Sequence, residues 1–161
     1  LGILLVATAA WIASPLFQKN EGVSATKTAN GQSVHQVGDL SFIVIQSPAQ
    51  LDAQLIKAKE EKKLVLLDFY ADWCISCKEM EVSTFANPEV SKQLNQFVLI
   101  QADVTKNSAD NQALLKRFGL FGPPGILIFN LDSEEQKDQR VIGFMPPQRF
   151  MERLKKISES Q

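Results

Sequence analysis

The chain has 161 residues, a formal net charge of -1 and a hydrophobic share of 45%, so it can bury one sizeable core but not a second independent one. The charge balance offers no basic field to nucleic acid, and no basic stripe alternates with aromatics. Two cysteines are too few for a disulfide-stapled secreted fold, and a core of this size needs no staple, so their number leaves the compartment open.

Residues 1–17, LGILLVATAAWIASPLF, carry no charge and do not begin with Met, which reads as a piece of something longer. A membrane-spanning helix needs about 20 apolar residues. The run fits the last part of such a helix, with Trp11 at the interface. It also fits a signal segment with Ala7, Thr8, Ala9 and Ala10 as the small residues of a cleavage site, or a buried N-terminal helix. Either membrane reading places the following domain at or across a membrane. Residues 18–39 are polar and rich in Gly, Ser, Thr and Asn, which predicts a flexible tether. His35, the only histidine, falls in it and reads as a solvated side chain without a catalytic or ligand role.

The folded domain is expected over 40–161. LSFIVI at 40–45 reads as a strand. Ser47, Pro48 and Gln50 form a capping pattern for an amphipathic helix through Lys62, with Leu51, Leu55 and Ala58 on one face. The nearly unbroken apolar run 64–70 suits a central strand covered on both faces. A helix from about Cys74 is interrupted at Asn87-Pro88 and resumes over 89–95. A third strand follows at 97–104, then a helix at 110–118 ending at Gly119. Strands at 126–131 and 140–144 read as a hairpin, and Pro146-Pro147 opens a closing helix with Phe150, Leu154 and Ile157 on one face. The order β-α-β-α-β-α-β-β-α predicts an α/β fold, a mixed sheet flanked by helices.

The chemistry lies in LVLLDFYADWCISCKEME, residues 64–81. Two cysteines placed at random would fall at this spacing roughly once in eighty arrangements, so Cys74 and Cys77 read as a redox pair. On the first turn of a helix they share a face and lie within disulfide reach. Free N-H groups and the positive end of the helix dipole favour a thiolate there, and the thiolate is the attacking species in exchange. Cys74, nearer the helix end, is the expected nucleophile and Cys77 the resolving thiol. This chemistry needs no cofactor. A structural zinc site wants four ligands, and the chain offers two Cys and one His. Covalent haem attachment wants His after the second Cys, where Lys78 stands. A purely structural bridge over so short a loop gains little unfolded-state entropy.

Asp68 interrupts an apolar strand, where burial would raise its pKa towards that of a thiol; the alternative is an edge or surface Asp. Glu81, four residues after Cys77 and seven after Cys74, shares their helical face. There it would raise the thiols by like-charge repulsion, or else be a solvated helix charge. Pro124 before a strand is a candidate cis-proline beside the dithiol, offering a backbone edge to an extended segment, or else a trans turn proline.

LLDFYADWCISCK resembles the thioredoxin-fold signature, and DFYADWCISCKEME, Thr84-Phe85 and FGPPGILIF resemble the C-terminal domain of the DsbD family over about residues 40–157. The resemblance implies a thioredoxin-like fold and a protein-disulfide reductase without cofactor or metal. In this reading Cys74 and Cys77 take electrons from a membrane-embedded domain and pass them to an N-terminal periplasmic domain, supporting disulfide isomerisation and cytochrome c maturation. Asp68 and Glu81 then match the family's acidic pair and Pro124 its cis-proline, and Trp73 and Pro124 are the expected docking residues. The implied location is the bacterial inner membrane, facing the periplasm, tethered through the N-terminal segment. Gly125 departs from the Thr common after the cis-proline, and Ile75-Ser76 from the Gly-Pro of ordinary thioredoxins. A free-standing thioredoxin-like reductase and a redox-inactive binding module of the same fold are the alternatives.

Overall fold

A computed structural model describes residues 26–27 and 31–159. The expectation for residues 1–17 lies outside them. Within the described residues no helix is long and apolar enough to cross a membrane.

The strands are β1 (Thr26–Lys27), β2 (Ser33–Val37), β3 (Leu40–Ile45), β4 (Val65–Tyr70), β5 (Val98–Asp103), β6 (Gly125–Phe129) and β7 (Val141–Ile142). The helices are α1 (Pro48–Glu60), α2 (Ile75–Glu79), α3 (Pro88–Leu94), α4 (Ala109–Arg117) and α5 (Pro147–Glu159). A π-helical segment, Met80–Phe85, continues α2, and a 3-10 turn occupies Lys137–Gln139. One mixed sheet runs β1-β2-β3-β5-β4-β6-β7, with β3, β5 and β4 parallel and the other pairings antiparallel.

All six residues of β4 are buried, as its apolar run requires of a central strand. One core layer packs Leu51, Leu55, Leu114 and Phe118 against Leu67 and Phe69. The other packs Phe85, Val90, Leu94, Phe150 and Leu154 against Leu66, Ile126 and Ile128. Alternation along β4 puts Asp68 on the second face with Leu66.

The local signals act as read at several places. Ser47 caps α1 by accepting from the Gln50 N-H at 3.3 Å, with Pro48 in the first turn. The Gln50 amide oxygen accepts from Gln46 N at 2.7 Å, one residue before the cap. Asn87 caps α3 through the N-H groups of Glu89 and Val90, so Asn87-Pro88 ends one helix and starts the next.

Three expectations are corrected. The stretch 18–39 is not a tether throughout, because β2 pairs with β3 through a two-residue turn at Gly38-Asp39. Gly38 has φ +57°, the geometry a primed hairpin turn demands at its first central position. The fifth expected strand, 140–144, shrinks to Val141–Ile142, since Gly143 turns the chain out of the ladder at φ +84°. His35 is buried, 8% exposed, because it faces inward from β2 with Val37 while Gln36 points outward.

Candidate active site

Strand β4 delivers the chain to Ala71, and Cys74 then caps α2. Cys74 and Cys77 form a disulfide with Cα atoms 5.3 Å apart. The Cys77 N-H donates to Cys74 Sγ at 3.1 Å, so one free donor of the helix start is aimed at the sulfur expected to attack. Cys77 Sγ lies 3.8 Å from the Phe69 carbonyl oxygen, which sets the inner sulfur against the end of β4. Cys77 is the more deeply buried of the two.

Asp68 is 2% exposed. Desolvation raises its carboxyl to about 7, against a lowering hydrogen bond from Gln101 and with a further raising charge from Glu81. The Gln101 amide nitrogen donates to Asp68 Oδ2 at 3.3 Å and to Glu81 Oε1 at 3.2 Å. One side chain of β5 thus brings together the two carboxylates that the sequence singles out. Glu81 is no solvated helix charge, since its Oε1 also lies 2.9 Å from His35 Nε2. The π segment that carries Glu81 is anchored by buried Met80 and Phe85, and by the Thr84 hydroxyl, which donates to Met145 O at 2.7 Å.

The Pro123-Pro124 peptide is cis. Pairing of Phe69 with Gly125 places Pro124 at the end of the sheet from which β4 leads to the dithiol. Its ring is buried, and its carbonyl accepts from Gly143 N at 3.0 Å. A Cβ on Gly125 would stand 3.0 Å from Leu120 Cδ1, so Leu120 fills the space a Thr would need. Trp73 is 61% exposed and donates from Nε1 to Thr105 O at 3.2 Å. Ile75, Phe121, Ile142 and Phe144 are also exposed. These come from segments that meet at the dithiol end of the sheet: the start of α2, the loop before Pro124, and the β7 end that pairs with Gly125.

Sequence reading missed Gln101 and His35. Gln101 gave the same signal as Asp68, a polar residue inside an apolar strand, VLIQAD. For His35 the only local signal was V-H-Q-V followed by the turn pair Gly38-Asp39. Among the described residues no group of three or more His, Cys, Asp or Glu side chains is placed to hold a metal ion.

A mixed sheet between two helical layers, with a Cys-x-x-Cys disulfide at the turn from β4 into α2, defines a thioredoxin-like domain, and a family model of that description matches residues 51–158. Among curated proteins, the chain is 42% identical to the thiol:disulfide interchange protein DsbD of Klebsiella pneumoniae over 153 residues, 95% of this chain and 24% of that protein. To DsbD of Vibrio vulnificus it is 43% identical over 130 residues, 81% of this chain and 22% of that protein. The chain thus spans about a quarter of the length of these relatives. The solved C-terminal domain of Neisseria meningitidis DsbD in its oxidised form is 42% identical with a TM-score of 0.59, covering 68% of this chain and 94% of that one. Its reduced form gives 40% identity and a TM-score of 0.62, covering 71% and 98%. The chain therefore belongs to the thioredoxin-like domains and, among them, to the DsbD C-terminal domain family.

Proposed function

We propose that this domain is a protein-disulfide reductase that relays two electrons by thiol-disulfide exchange at Cys74 and Cys77. The observation that carries the reading is the Cys74–Cys77 disulfide, which caps α2 just beyond the strand that holds buried Asp68. In the forward half-reaction the Cys74 thiolate attacks a partner disulfide, forming a mixed disulfide and releasing one partner thiolate. The Cys77 thiol then loses its proton and attacks Cys74 Sγ. The second partner thiolate leaves, the Cys74–Cys77 disulfide closes, and the partner gains two electrons and two protons.

Asp68 and Glu81 act on this cycle as charge and as proton acceptors. Their negative charge opposes thiolate formation, so the dithiol holds its protons until docking. Asp68, raised to about 7, is suited to take and return a proton near neutrality. Cys77 Sγ lies 3.8 Å from the carbonyl oxygen of Phe69, the residue that follows Asp68 in β4. Trp73 and the Pro124 loop form the docking face, with Phe121 as its most exposed apolar side chain. Family membership supports the wider setting. Electrons arrive from a membrane-embedded domain and leave to an N-terminal periplasmic domain that serves disulfide isomerisation and cytochrome c maturation. Residues 1–17 are the end of a spanning helix or a signal segment, the polar stretch before β1 is a tether, and the domain faces the periplasm from the bacterial inner membrane.

The test mixes the reduced chain with the oxidised N-terminal domain of a DsbD relative and titrates thiols on both. Two electrons should move per chain, and Cys74→Ser should abolish the transfer. Full transfer by a Cys74→Ser, Cys77→Ser double variant would leave only a binding module.

A further inference from the structure

The carboxylate pair has a third, basic partner on its outer side. His35 Nε2 lies 2.9 Å from Glu81 Oε1, and the two side chains are only 11% and 13% exposed. The sheet register accounts for the meeting. His35 is opposite Phe42, Val44 opposite Gln101, and Gln101 opposite Asp68, so the row from His35 to Asp68 occupies one face of the sheet. The π segment lays Glu81 across that face. The Tyr70 ring, 5.8 Å from the imidazole, flanks it. A cleft of about 360 Å³, lined in part by Ser33, His35, Tyr70, Asp72, Gln101 and Asp103, brings solvent to the same imidazole. His35 therefore touches the buried network on one side and an open cleft on the other.

We propose that His35 is a positioning residue of the dithiol site: bonded to Glu81 from the cleft, it fixes that carboxylate against Gln101, balances its charge and makes Cys74 reactivity follow the ionisation of the imidazole. The inference rests on the reading that Asp68 and Glu81 tune the dithiol. Among the residues whose side chains are described, the titratable groups facing His35 are acidic: Glu81 from the π segment, Asp68 and the Tyr70 hydroxyl from β4, Asp72 from the loop beyond it, and Asp103 of β5 across the cleft. The hydrogen bond to Glu81 raises His35 above its ordinary value; burial opposes this, and the charges of Glu81, Asp68 and Asp72 add to it. The imidazolium thus persists to higher pH than in a free histidine. While it persists, the field at Cys74 is less negative and the thiolate forms more readily. Once it is lost, Glu81 stands uncompensated.

The test follows alkylation of Cys74 by iodoacetamide in the reduced full chain across pH, for wild type, His35→Gln, Glu81→Gln and the double variant. His35→Gln should slow alkylation about three- to tenfold at the acid end of the profile, with the gap closing to within about twofold at the alkaline end as the wild-type imidazole loses its proton. In the Glu81→Gln background the second substitution should add nothing, since the group through which His35 acts is gone. A His35→Gln effect of the same size at every pH, or one that persists in the Glu81→Gln background, overturns the proposal and leaves His35 a structural residue. An unaltered profile in Glu81→Gln overturns the carboxylate reading itself, and the inference with it. Should His35→Gln fail to fold, NMR titration of the single imidazole decides. It should titrate above the free histidine value in wild type and fall in Glu81→Gln, whereas the free value in both overturns the proposal.

Discussion

The Asp68 carboxylate accepts a 3.3 Å hydrogen bond from the Gln101 amide within a core layer otherwise built from Leu66, Ile126 and Phe85. An amide offers partial compensation for a buried carboxylate but no charge, which is why desolvation dominates and the group is raised to about 7. The unfolded carboxyl titrates at the ordinary 3.8. Between these values the native state holds a proton that the unfolded chain has lost, so this group makes stability fall as pH rises from about 4 to 7. Asp68→Asn removes that loss. Urea unfolding of the oxidised protein should show the variant gaining on wild type by a few kcal/mol, as an order of magnitude, between pH 4 and pH 8. A constant difference across that range would mean that Asp68 is already ionised in the native state.

Phe85 holds the π segment in place. It is fully buried, with ring centroids 5.5 Å from Phe42 and 5.8 Å from Phe150. Phe85→Ala should cost about 3–5 kcal/mol in urea unfolding, the usual range for emptying such a site. A cost under about 1 kcal/mol would show that the layer closes over the gap.

The sequence displays β4, the caps at Ser47 and Asn87 and the Cys74–Cys77 pair because each depends on neighbours within a few residues. Strand β2 was hidden because its polar flanks outweighed two valines and a Gly-Asp turn, and the antiparallel partner that buries it is β3. The burial of His35 was harder still to read, since its partner Glu81 is 46 residues away and reaches it only through the fold. The spacing of Glu81 from the cysteines did indicate its helical face, but not the change from α to π geometry at Met80, for which MEVSTF carries no local signal that we can identify.

Cys74 should be the sulfur that meets the partner. A Cys77→Ser variant should accumulate a mixed disulfide through Cys74 with an oxidised protein substrate, visible on a non-reducing gel and located by peptide mass. Accumulation through Cys77 in a Cys74→Ser variant, with none in Cys77→Ser, would reverse the two roles.

The exposed rings should matter for protein substrates more than for small ones. Trp73→Ala and Phe121→Ser should each slow reduction of a protein disulfide by roughly tenfold, with a much smaller effect, about twofold, on oxidised glutathione. Equal losses on both substrates would mean that these side chains shape the dithiol and not the docking face.

The central claim is that the Asp68 and Glu81 carboxylates hold the Cys74 thiol protonated until a partner arrives. The direct measurement is thiolate absorbance of the reduced chain against pH, for wild type and for an Asp68→Asn, Glu81→Gln double variant. The expected result is a Cys74 pKa lowered by about one unit or more when both charges are removed. A titration that superimposes on wild type would contradict the claim and leave the buried carboxylates with a structural role.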